Sequence, residues 1–79
     1  MTVSVRLFAA ARSAAGVSQT QCNPGTLAQV LEQLAIEFPA VSRVLPQCSF
    51  LVDEVSCKDT SAQLKSGAVL DVLPPFAGG

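Results

Sequence analysis

The residues best placed to do chemistry are the last ones, "LPPFAGG" from Leu73 to Gly79. Gly78 and Gly79 have no Cβ, so their backbone can thread a channel too narrow for any other residue. Pro74 and Pro75 hold φ near about −65° and favour an extended course. At roughly 3.3 Å per residue, the tail from 74 to 79 reaches about 20 Å, enough to enter another protein's active site. Its reactive group is the α-carboxylate of Gly79, which is ionised at neutral pH because such groups titrate at about 3.3 to 3.7. A carboxylate becomes an acyl donor only after activation. Nucleotide activation needs a phosphate cradle, and no G-x-x-x-x-G-K-[ST] run occurs here. The expectation is therefore an exposed acyl carrier activated by another protein. The competing expectation is a frayed terminus with no role, since chain ends are commonly disordered.

Composition excludes most other chemistry. The 79 residues include no His, Tyr or Trp, which removes the side chain that most often serves as general base or metal ligand. Five Lys and Arg against six Asp and Glu leave a formal net charge of −1. No basic run is available to neutralise a row of phosphates, so nucleic acid is not an expected partner. No apolar run approaches the roughly 18 residues that span a bilayer, so no membrane association is expected. Cys22, Cys48 and Cys57 form an odd set without a C-x-x-C pair, and no signal-peptide pattern opens the chain. Reduced cysteines acting as small buried hydrophobes in a cytoplasmic protein are the reading. Asp53, Glu54, Lys58 and Asp59 read as solvated loop charges, and no metal is expected.

One small domain must position the tail, because a chain this short buries only about 60 to 65% of its unfolded surface and supports a single core. The expected arrangement is a body with 74–79 as its extended end. In "TVSVRLF" Val3, Val5 and Leu7 alternate with Ser4, Arg6 and Phe8, the period of a half-buried strand. An Ala-rich turn or short helical connection over 9–15, ending at Gly16, leads to a second strand, "VSQTQC". Thr26 and Gln29 match a capping box. Leu27, Val30, Leu31, Leu34, Ala35 and Phe38 then recur every three or four residues along a helix that Pro39 ends. "CSFLV" and "EVSC" predict a third strand and a short fourth, and "KDTSAQLKSG" reads as a polar connection ending in a turn. "AVLDVL" predicts the last strand, with Ala68, Leu70 and Val72 on one face and Val69, Asp71 and Leu73 on the other. The class is α+β: a mixed sheet of about four to five strands with one main helix on one face. If the first and last strands are neighbours, Phe8 and Leu73 share the uncovered face beside the departing tail, a candidate docking surface.

The order of elements, the opening "VRLFAAARSAAG" through Phe8, Ala9, Arg12 and Gly16, and the ending "VLPPFAGG" resemble the small subunit of molybdopterin synthase. That family consists of ubiquitin-like sulfur carriers with the β-grasp fold. The resemblance implies that Gly79 is adenylated by an activating enzyme, which uses ATP, and is then converted to a thiocarboxylate. No cofactor is implied for this chain itself. It further implies insertion of the tail into the large, catalytic subunit of a heterotetramer, where sulfur passes to cyclic pyranopterin monophosphate. Gly79 carries the chemistry in this picture and Gly78 provides passage. Phe8, Arg12, Leu73, Pro74, Pro75, Phe76 and Ala77 complete the partner-binding set. Arg12 faces an acidic group of a partner or is a solvated charge on the connecting segment. A sulfur carrier for thiazole synthesis and a protein modifier joined to lysines through its terminal glycine are the alternatives on the same fold. A pure interaction module with an incidental tail is a further one.

Overall fold

A computed structural model describes residues 1–75. The chain runs β1 (Val3–Leu7), α1 (Ala9–Ala15), β2 (Gln19–Cys22), β3 (Gly25–Thr26), α2 (Leu27–Glu37), two 3-10 turns (Val41–Arg43 and Leu45–Gln47), β4 (Ser49–Val52), β5 (Val55–Ser56), β6 (Gln63–Leu64) and β7 (Val69–Leu73). Five strands form one mixed sheet in the order β2-β1-β7-β4-β5, and β3 pairs with β6 in a separate two-stranded ladder. The first and last strands are neighbours and run parallel, Ser4 beside Val69 and Leu7 beside Val72. The architecture is the α+β, β-grasp arrangement expected from the sequence.

Alternation holds along both central strands. Val3, Val5 and Leu7 of β1 and Leu70 and Val72 of β7 are buried under the helix, at 0 to 1% exposure. Leu27, Val30 and Leu34 of α2 meet them, with Leu31 and Phe38 packed at the margin. The helix starts where the capping box requires. Thr26 Oγ1 accepts from the Gln29 amide at 3.1 Å, and Gln29 Oε1 accepts from the Thr26 amide at 2.9 Å. This cap also explains Gly25, where an added Cβ would meet Gln29 Oε1 at 2.6 Å. The Ala-rich stretch is helical, and it ends at Gly16 in a left-handed conformation, φ 78°, whose amide donates to the Arg12 carbonyl at 2.9 Å.

Some expectations need correction. The segment 58–67 is not only a polar connection. Gln63–Leu64 forms β6 against Gly25–Thr26, and Leu64, 1% exposed, belongs to the core. The second strand is shorter than "VSQTQC", starting at Gln19, and Val17 is 41% exposed. The uncovered sheet face is not merely open, because it holds Asp71 at 4% exposure. Of the cysteines, Cys22 is buried while Cys48 and Cys57 are half-buried, and all three are free thiols. Burial pushes the Cys22 thiol up, helped by the negative charge of Glu37, and burial alone pushes Cys48 up.

Candidate functional site

The face of the sheet opposite α2 is built by every second residue of its strands. Phe8 keeps extended angles, φ −124° and ψ 154°, so the alternation of β1 carries through it and sets it beside Arg6 and Ser4 rather than with Leu7. On β7 the same alternation sets Leu73, Asp71 and Val69 on this face, while Leu70 and Val72 point into the core. Parallel pairing of Leu7 with Val72 brings Phe8 and Leu73 abreast at one end of the two central strands. Ser49 of β4 pairs with Leu73 on the other side, and Leu51 pairs with Asp71. Phe8 is 37% exposed and Leu73 is half-buried.

Arg6 and Asp71 sit one step inward from that apolar end. Arg6 Nε donates to Asp71 Oδ1 at 2.5 Å and Nη2 donates to Oδ2 at 2.7 Å, a bidentate pair in which each oxygen has its own donor. The hydrogen bonds to Asp71, then its charge, raise the Arg6 guanidinium above its ordinary range. Further along, Thr2 and Ser4 hydroxyls donate to Gln21 Oε1 at 2.7 and 3.2 Å. The face therefore grades from apolar at the Phe8 and Leu73 end, through an ion pair, to polar at the far end.

Where the chain leaves β7, Pro74 is buried and Pro75 is exposed. Pro74 thus packs into the body next to Leu73. Phe76, Ala77, Gly78 and Gly79 lie outside the described residues. Arg12 is exposed on α1, makes no ion pair among the described residues, and lines a shallow polar cleft with Ser13, Gly16, Val17 and Ser18. Phe8, Leu73, Pro74 and Pro75 are thus gathered by β1 and β7, whereas Arg12 stands on the helix that follows. Sequence reading overlooked Arg6, Asp71 and Leu51. The available signal for the pair was one charge of each sign, Arg6 in the first strand and Asp71 in the last, both at positions of the uncovered face.

No group of three or more His, Cys, Asp or Glu residues able to hold a metal occurs among the described residues, and no described helix is long and apolar enough to cross a membrane. An apolar cleft of about 270 Å³ lies on the opposite side between Leu27, Phe50, Cys48 and Cys57.

Solved structures share this fold over nearly the whole chain. Small archaeal modifier protein 1 from Methanosarcina acetivorans is 24% identical, with 99% of this chain and 96% of that one covered, at a TM-score of 0.87. A chain in the complex of subunits 1 and 2 of the molybdopterin-converting factor from Helicobacter pylori matches at 24% identity, with 100% of this chain and 100% of that one covered, at a TM-score of 0.74. The BexX/CysO complex from Amycolatopsis orientalis matches at 18% identity, over 98% and 99% of the two chains, at 0.83. No curated protein matches. The family model that matches, over residues 5–79, is that of the ThiS family, and with nearly all of its length inside that match the chain belongs to the ThiS family of ubiquitin-like sulfur carriers.

Proposed function

We propose that this chain is the sulfur-carrying small subunit of a molybdopterin synthase. An activating enzyme adenylates Gly79 with ATP, the acyl-adenylate is converted to a thiocarboxylate, and the tail delivers that sulfur inside a large subunit to cyclic pyranopterin monophosphate. Three properties suit the chain to this task. Its sequence closes with a glycine pair without side chains behind two prolines. Its own residues supply no general base of the His type. The observation that carries the reading is the parallel pairing of β1 with β7, which sets Phe8 beside Leu73 where the chain departs toward Gly79. An apolar patch at the root of a tail lets one surface dock while the tail enters a channel.

The H. pylori structure supports a partner subunit for a protein of this fold. Likeness to the archaeal modifier favours a second reading, in which the glycine end is joined to lysines of other proteins. Mass spectrometry separates them. After incubation with ATP, a sulfur donor and the activating enzyme, the carrier reading expects a gain of about 16 Da at the C-terminus, one oxygen replaced by sulfur. No such gain, with Gly79-dependent conjugates larger than the free chain, overturns it in favour of the modifier.

A further inference from the structure

We propose that Arg6 is a specificity-determining residue of the docking face, whose outward N–H groups take an acceptor oxygen from the adenylating partner that covers Phe8 and Leu73. The inference rests on that face being the docking surface. Asp71 lies on the central strand between Arg6 of β1 and Leu51 of β4. Its side chain is 6% exposed, while that of Arg6 is 44% exposed. Both carboxylate oxygens are already satisfied by Nε and Nη2. A guanidinium has five N–H donors in a fixed fork. The donors of Arg6 that point away from Asp71 have no partner among the described residues and are open to solvent on this half-exposed side chain.

A partner seated on Phe8 and Leu73 covers the neighbouring position as well and displaces that solvent. Unmet donors beside a charge are costly once desolvated, so a flat apolar patch is disfavoured there and an oxygen acceptor is selected. Asp53 and Glu54 border the far side of Arg6, around a cleft of about 350 Å³ that Val69 also lines. Their charges repel an acceptor approaching from that side, so the oxygen enters from the Phe8 side, continuous with the apolar contact. A backbone carbonyl and a carboxylate both meet the requirement, and salt distinguishes them. Only a carboxylate makes the contribution of Arg6 fall as ionic strength rises.

The test measures steady-state adenylation of the full chain by its activating enzyme, with Phe8→Ala as a control for docking. Arg6→Leu combined with Asp71→Leu removes the charges together and keeps apolar volume, a change that buried pairs often tolerate. Expected is a rise in KM for the carrier of about ten-fold, with kcat changed by less than about two-fold, as for loss of a contact that acts in binding. Arg6→Lys, which keeps the charge and loses the fork, raises KM in the same direction. Unchanged KM in both Arg6 variants, while Phe8→Ala raises it, overturns the role of Arg6 and leaves the docking face standing. Unchanged KM in all three overturns the docking face and the inference with it.

Discussion

Asp53 and Val69 are joined twice: the Asp53 amide donates to the Val69 carbonyl at 2.8 Å, and Asp53 Oδ1 accepts from the Val69 amide at 2.9 Å. The turn between β4 and β5 is thereby fastened to the first residue of β7. Asp53 also takes a left-handed conformation, φ 49°, which a short polar side chain tolerates. Asp53→Ala should lower stability by about 1 to 2 kcal/mol, through a lost hydrogen bond and a poorer left-handed residue. Asp53→Asn should retain most of it. Urea unfolding midpoints compare the two.

Ala9 turns the chain from β1 into α1 with φ 47°, a conformation that a Cβ disfavours. Ala9→Gly removes that strain, and it should stabilise the chain by about 0.5 to 1 kcal/mol. A fall in the urea midpoint would show that something else holds this turn.

Leu64 is 1% exposed in a segment that reads as polar. Leu64→Ala should cost about 2 to 5 kcal/mol, the range for a buried leucine that leaves a cavity. Thermal unfolding followed by circular dichroism gives the value, and a loss under about 1 kcal/mol would mean that the β3–β6 corner collapses to fill the space.

The buried Cys22 thiol titrates above its ordinary value because the core disfavours the thiolate, with Glu37 adding repulsion. The folded state thus holds its proton more tightly than the unfolded state. The sign follows: this contribution is fully present below the unfolded thiol value and is lost as pH rises through the folded one. Stability should decline in the alkaline range, less steeply in Cys22→Ala. Urea midpoints at pH 7 and pH values above about 9 measure the difference.

Phe8 and Leu73 lie at the edge of the body and support little of the core. Phe8→Asp should leave the urea midpoint nearly unchanged while raising KM for the activating enzyme by about ten-fold or more. Equal loss of stability and binding would mean that Phe8 serves the fold rather than the interface.

Much of the fold was legible because its signals are local. The Thr26–Gln29 cap lies three residues apart, and the stripe from Leu27 to Phe38 needs only one helix to express it. Alternation in 3–7 and 69–73 assigns faces without knowledge of neighbours. The role of Leu64 was not legible. A two-residue strand has no period to detect, and its burial depends on Gly25, thirty-nine positions away in the chain. The Arg6–Asp71 pair was hidden for the same reason, since its partners are 65 residues apart in sequence.

The amino-acid sequence by itself determined the main helix with its cap, the inward and outward residues of the first and last strands, the absence of a histidine base, and a glycine pair behind two prolines. Each follows from chain stereochemistry and side-chain inventory, which act over a few residues. Tertiary structure alone decided that β1 and β7 are parallel neighbours, that Phe8 and Leu73 therefore stand abreast, and that Asp71 is buried beneath Arg6. Those relations join the two ends of the chain, and only the burial of a shared core brings such distant segments together.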